Sequence, residues 1–244
     1  MGKCGRYVFI STATVYQKPP RSLLVTTDTP HDNPYWDYSQ KKIECEKVLR
    51  RMEKEQGLPL CIIRPSWTYG DRDVPFILRP KNGGWALVSR MRAGKPVLIP
   101  GDGNIFWTIT HAADLAHALV ALMDLPETLG EDFHLTQDEY MTWNDFARVI
   151  ADAAGAPAPK LVHVATDRLI ESDPSLIGPL LGDKAQPTVF DNSKVRRFLP
   201  DFRFEIPFAR GIVRSIAVLD SDPELHIPCK EWNDWVDEMI EKHG

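Results

Sequence analysis

"YVFISTATVY", residues 7–16, runs through four apolar residues, then Ser11 and Thr12, and ends on Tyr16. Its aromatic and β-branched start predicts a buried strand over Tyr7–Ser11. A strand that finishes in hydroxyls is either a plain strand end or a site, because open α/β sheets bind ligands at the carboxyl ends of their strands. A loop over 17–35 follows, carrying Pro19, Pro20, Pro30 and Pro34. From Trp36 to about Gln56 the composition is helical, and Gly57 and Pro59 close the helix. Leu60-Cys61-Ile62-Ile63 is a second continuous apolar run. Two buried strands joined by a long helix make a strand–helix–strand unit and therefore a parallel sheet.

Beyond Pro65, periodicity predicts a helix from Trp85 to about Ala93. Short strands are expected at Val97–Ile99, Trp107–Thr110, Phe133–Leu135 and Leu161–Val164. Asp114–Met123 has Leu115, Leu119, Leu122 and Met123 at helical spacing. Thr142 with Asp145 three positions on predicts a helix start, and Gly155 its stop. A last helix from about Lys230 places Trp232, Trp235, Val236, Met239 and Ile240 on one face, which reads as ordinary helix burial. The charged positions along Lys41–Lys54 read as a solvated helix face.

The 244 residues carry a net charge of −5 and a pI near 5.8, which argues against a nucleic-acid partner. No apolar run approaches the ~20 residues of a membrane helix, and no signal-peptide pattern opens the chain. Cys4, Cys45, Cys61 and Cys229 are scattered, without the spacing of a zinc site or a disulfide framework, and this points to a reduced cytoplasmic protein. His111, Asp114 and His117 are better read as structural than as metal ligands, so no metal site is expected.

Tyr38 and Lys42, four apart in the first helix, share one face, and Tyr38 is the only one of the six tyrosines with a lysine at that spacing. If the helix packs back on the sheet, Thr12 and Tyr38 converge. An ammonium beside a phenol favours the phenolate. Such a tyrosine can take a substrate hydroxyl proton while the carbon gives up a hydride to a nicotinamide.

"ISTATVY", "YSQKK" and "IIRPSWTYG", followed in order by "GKPVLIPGDG", "THAADLAHAL" and "DNSKVRRFLPDF", resemble the extended short-chain dehydrogenase/reductases, specifically the NAD-dependent epimerase/dehydratase group. The resemblance implies an α/β fold with a partial Rossmann-like parallel sheet and a smaller α+β substrate-binding region. Residues 1–69 would belong to the dinucleotide-binding domain, and 70–244 mainly to the substrate region. It implies Thr12, Tyr38 and Lys42 as catalytic residues, with Lys42, Tyr38, Pro65, Ser66 and Trp67 around the nicotinamide end of NAD or NADP. Thr14 and Trp107 are candidate contacts to a hydroxyl-bearing small-molecule substrate, a sugar or nucleotide sugar among them.

Two departures from the family pattern stand out. Gly101-Asp102-Gly103 is followed by a strand pattern and reads as a turn, not a dinucleotide loop. By resemblance, then, the first four strands and helices of the sheet are missing, on the order of 100 residues. An unpaired strand edge would follow, and with it a homodimer or another association through that edge. The second departure is Trp107, which stands where many sugar-nucleotide members place a phosphate-binding arginine; Arg79, Arg90 and Arg92 read as surface residues instead. Atypical relatives bind RNA or sense redox state with the enzyme site unused, so a binding protein remains the alternative reading.

Overall fold

The computed structural model describes residues 4–80 and 83–244. Strand β1 (Tyr7–Ile10) leads through a short turn and strand β2 (Leu24–Val25) to helix α1 (Asp37–Gln56), then strands β3 (Leu60–Pro65) and β4 (Trp67–Tyr69). Helix α2 (Trp85–Arg92), strands β5 (Val97–Pro100), β6 (Phe106–Trp107) and β7 (Ile109–His111), and helix α3 (Ala112–Met123) follow. Next come strands β8 (Asp132–Leu135) and β9 (Met141–Thr142), helix α4 (Trp143–Ala153), strand β10 (Leu161–Val164) and helices α5 (Thr166–Ser172) and α6 (Ile177–Pro179). Strand β11 (Val189–Phe190) and helices α7 (Ser193–Phe198), α8 (Phe208–Ser221) and α9 (Lys230–His243) complete the order.

The expected strand–helix–strand unit forms. β1 pairs with β3 in parallel, Tyr7 opposite Leu60, and β3 pairs with β8, Ile63 opposite Phe133. Leu60–Ile63 is buried throughout because β3 is the central strand of this three-stranded sheet, covered on both faces. Gly57 ends α1 in the left-handed conformation at φ 68°, its N–H bonding back to Glu53. Helix α4 starts with the full capping box between Thr142 and Asp145.

Three local expectations change. The strand expected over Trp107–Thr110 is split at Thr108: β6 pairs antiparallel with β9, whereas β7 pairs parallel with β4. Met123 lies 44 % exposed, on the outer side of α3. The charged face of α1 is not solvated throughout, because Glu46 is buried against Arg64 of β3. The buried stripe of α1 is Ser39, Ile43 and Glu46, spaced i, i+4, i+7; two of its three members are polar and each has a specific partner across the interface. Helices α7 and α8 lie outside the elements that periodicity predicts. Phe208, Ile212, Ile216 and Leu219 of α8 join the main core, and α8 packs on α4.

Among the described residues β1 has no partner on its outer edge. The amides of Tyr7 and Ser11 bond to Pro59 and Ile63, so by strand alternation Val8 and Ile10 turn their backbone groups to the free side. Such an edge is a template for pairing. Sedimentation of the chain is expected to show concentration-dependent association. Val8→Pro, which removes an edge donor and leaves the β3 ladder intact, is expected to weaken it; a monomer at all concentrations would count against edge pairing.

Candidate functional site

The site is built where β1 ends. Thr12 caps the single turn that follows the strand, its hydroxyl accepting the Thr14 amide at 3.2 Å. The Thr14 hydroxyl lies 3.2 Å from that of Thr12 and accepts a hydrogen bond from Ser39 Oγ at 2.7 Å. Asn33 completes the knot, donating through Nδ2 to the carbonyls of Thr14 and Gly182, both at 2.7 Å. Ser39 belongs to the first turn of α1, so this network pins the start of the helix onto the end of β1. The helix therefore does pack back on the sheet, and Thr12 and Tyr38 come to line one cleft.

Tyr38 and Lys42 precede Ser39 and Ile43 by one residue each, which rotates them to the flank of the buried stripe and toward the end of β1. Tyr38 is 44 % exposed, its ring 5.2 Å from that of Trp36. The Lys42 ammonium donates to the Ile10 carbonyl at 2.8 Å and lies 5.9 Å from the Tyr38 ring centre. It occupies an edge acceptor of β1 while standing beside the phenol. Ser11 is buried and its hydroxyl has no partner among the described residues.

The cleft has a volume of about 1200 Å³, and aromatic rings form part of its wall, among them Trp36, Trp67, Trp107 and Phe190. Thr12, Thr14, Tyr38, Ser66, Trp67 and Trp107 all line it, whereas Lys42 and Pro65 do not. Pro65 is the last residue of β3, paired with Leu135, and the chain turns toward the cleft only at Ser66, whose hydroxyl bonds with that of Thr110 at 3.0 Å. Trp107 is 3 % exposed, stacked on Trp143, with its indole N–H unpartnered among the described residues.

Several lining residues escape sequence reasoning. Lys18 is 4 % exposed and donates to Thr188 Oγ1 at 3.0 Å; burial draws its ammonium down to about 8, against the pull of Asp183. Trp232 and Trp235, expected to be plain helix burial, line the cleft from α9, and the Trp235 indole donates to Ser172. Arg90, expected on the surface, is buried and bonds Asp237, Asn233 and the Pro96 carbonyl. Arg92 pairs with Asp220, whereas Arg79 lines the cleft over the Trp67 ring.

His111 bonds Asp71 and caps α3, and Asp114 accepts the Ile206 amide. No cluster of metal-ligating side chains occurs among the described residues. Neither is any helix among them long and apolar enough to cross a membrane.

Beneath the site a buried chain of hydrogen bonds fixes the loop after Thr12. Arg64 Nη1 donates to the Tyr16 hydroxyl at 3.3 Å, which lies 3.3 Å from His134 Nδ1. His134 Nε2 meets the Asp191 carbonyl at 2.5 Å. A carbonyl only accepts, so the proton sits on Nε2 and Nδ1 takes the Tyr16 proton. Burial pulls the His134 imidazole down to about 4. As pH falls, the unfolded chain binds the proton first, so this stability is complete above the ordinary histidine value and is lost on the way to the folded one. Between about pH 6.5 and 5 the loss is about 2 kcal/mol for this group alone. His31, lowered chiefly by burial, acts in the same direction. Urea unfolding across that range is expected to show the slope, and His134→Asn to flatten it; an unchanged slope would refute a neutral buried His134.

The residues present fit the reactive end of a nicotinamide dinucleotide: an exposed phenol, an ammonium beside it and a strand-end hydroxyl around a roomy cleft. No pyrophosphate cradle occurs among the described residues. Gly103, at φ 71°, takes its place in a turn where a Cβ would meet Asn144 Oδ1 at 2.2 Å, and Gly84, before α2, packs against Val74. Both glycines are explained by protein packing.

The sequence profile described as the NAD dependent epimerase/dehydratase family matches residues 1–135, more than half of the chain. The chain belongs to that family. Among curated proteins it is similar to the chloroplast stem-loop binding protein of 41 kDa b of Arabidopsis thaliana, 28% identical over 161 residues, 66% of this chain and 39% of that protein. It is also similar to the 3beta-hydroxysteroid-dehydrogenase/decarboxylase isoform 2 of the same plant, 27% identical over 203 residues, 73% of this chain and 35% of that one. In structure it resembles the UDP-glucuronic acid 4-epimerase of Bacillus cereus in complex with NAD, with a TM-score of 0.71 at 21% identity, covering 92% of this chain and 63% of the epimerase. The likeness establishes the Rossmann-type fold of the family. The chain spans less than half the length of these curated relatives.

Proposed function

We propose that the protein is an NAD(P)-dependent oxidoreductase of the epimerase/dehydratase type, acting on a hydroxyl-bearing small molecule. The observation that carries this is that Thr12 and Tyr38 line one cleft while Lys42, held by the Ile10 carbonyl at the end of β1, stands beside the Tyr38 ring. Nicotinamide supplies a hydride acceptor when bound. Tyr38 removes the substrate hydroxyl proton, Thr12 holds the same oxygen by a hydrogen bond, and the Lys42 ammonium stabilises the phenolate. Lys42 has two further N–H donors besides the one given to Ile10, enough to reach a cofactor ribose as well. Ser66 and Trp67, which line the cleft, would hold the nicotinamide end.

The aromatic lining, with Trp107 where sugar-nucleotide members place an arginine, favours a substrate with an apolar face over a nucleotide sugar. The relatives' names put both a hydroxysteroid and a UDP-sugar on the assay panel. The test is calorimetric titration of the purified chain with NAD⁺, NADP⁺ and their reduced forms, followed by hydride transfer with each panel alcohol. Micromolar binding and turnover support the reading; a chain that binds none of the four dinucleotides sinks it.

A binding role without catalysis, as the name of the stem-loop binding relative suggests, is the other outcome. The net charge of −5 and an intact Tyr38–Lys42 pair weigh against it.

A further inference from the structure

Among the described residues the cleft wall contains three cationic side chains, and two of them already have carboxylate partners: Arg79 pairs with Asp73, and Lys184 pairs with Asp183 at 3.2 Å. Lys18 is the exception. Its ammonium is buried, no carboxylate lies within ion-pair distance among the described residues, and its hydrogen bond to Thr188 goes to a neutral hydroxyl. An ammonium carries three donors, so two point elsewhere. Burial works against this charge, and the pull of Asp183, which lines the same cleft beyond ion-pair distance, offsets that only in part. A second unpartnered donor belongs to the same cleft wall. The Lys18 ammonium lies 5.8 Å from the centre of the Trp107 ring, whose buried N–H also has no partner. The two come from different elements, the loop after β1 and strand β6, and both line the cleft that Thr12 and Tyr38 enter.

We propose that Lys18 and the Trp107 indole N–H form an oxyanion subsite that selects substrates carrying a carboxylate or phosphate on a flat apolar body. The anion gives Lys18 a direct charge partner, which Asp183 does not, and accepts from Trp107, while Trp67 covers the body. Charge-assisted hydrogen bonds of this kind are stronger than neutral ones. Selection thus comes from a lysine in the loop after β1, and Trp107 contributes direction without charge. The inference rests on this cleft being the substrate site, but its test needs neither cofactor nor turnover.

Calorimetric titrations with naphthalene carboxylate, naphthyl phosphate and the uncharged naphthalene carboxamide probe it directly. Wild-type protein is expected to bind at least one anion about tenfold or more tighter than the carboxamide. Lys18→Met is expected to erase that preference while leaving carboxamide affinity unchanged, and Lys18→Arg to retain it. Trp107→Phe is expected to weaken the anions by about threefold to tenfold and spare the carboxamide. Which anion binds tighter tells carboxylate from phosphate as the natural group. Equal affinity for anion and amide, a preference that survives Lys18→Met, or no binding of any probe would overturn the proposal. Should the methionine variant unfold, the wild-type preference and its retention in the arginine variant still decide. The subsite can stand even if no hydride transfer is found, so the two readings fail separately.

Discussion

Tyr38→Phe is expected to lower the turnover number by about 10²–10⁴-fold, the range that a positioned general acid–base supplies. The substitution removes one oxygen from a side chain that is 44 % exposed and whose hydroxyl bonds to no other residue among those described. Its stability cost is therefore expected to stay within about 0.5 kcal/mol. The ring, which faces Trp36 at 5.2 Å, is kept, so ligand affinity is expected to hold within about threefold while kcat falls. Lys42→Met should act on the same step but also release its bond to the Ile10 carbonyl, so stability and rate fall together there. Single-turnover hydride transfer, with thermal unfolding alongside, separates the two variants. A Tyr38→Phe enzyme within about threefold of wild type would remove Tyr38 from the mechanism.

Arg64→Met is expected to cost about 3–5 kcal/mol of folding stability, a large part of the 5–15 typical of a domain. Arg64 on β3 grips Glu46 of α1 with both arms of its guanidinium, Nε at 2.9 Å and Nη2 at 2.7 Å, and the pair is buried at 3 % and 4 % exposure. Nη1 also reaches Asp132 of β8 and the Tyr16 hydroxyl. Removing the arginine strands Glu46 as a buried carboxylate with only His31, at 3.6 Å, still within ion-pair distance among the described residues. Asp132 suffers less, because Lys194 at 3.1 Å and Arg50 at 3.6 Å remain beside it. Arg64→Met combined with Glu46→Leu should therefore recover most of the loss. Urea unfolding of the two variants checks this, and a double variant as weak as the single one would show that the pair is not the cause. Since α1 carries Tyr38 and Lys42, a loosened grip on Glu46 should also reduce activity before it unfolds the chain.

How much of this was legible in the chain depends on the distance over which each feature is encoded. The strand–helix–strand unit, the left-handed stop at Gly57 and the capping box at Thr142 follow from residues within a few positions of one another, and all three are found. The split at Thr108 was not legible, because two different partner strands claim the two halves of one apolar run. Glu46 looked solvated since its residue type is charged; only the arginine of a separate strand explains its burial. The cleft divides in the same way. Thr12, Tyr38 and Lys42 were legible because a strand end and an i, i+4 helix pair are local patterns, and the resemblance joined them in order.

The sequence by itself therefore determined the strand–helix–strand unit and the candidate triad of Thr12, Tyr38 and Lys42, which short-range propensity and spacing encode. The tertiary structure alone decided what surrounds that triad. Lys18 looks like any lysine until the fold places it against Thr188, 170 positions away, and buries it with no carboxylate in ion-pair distance among the described residues. Trp232 and Trp235 look like a helix stripe until α9 is laid along the cleft mouth. A group's charge and packing environment is a property of all its neighbours in space, and most of those neighbours are far away along the chain.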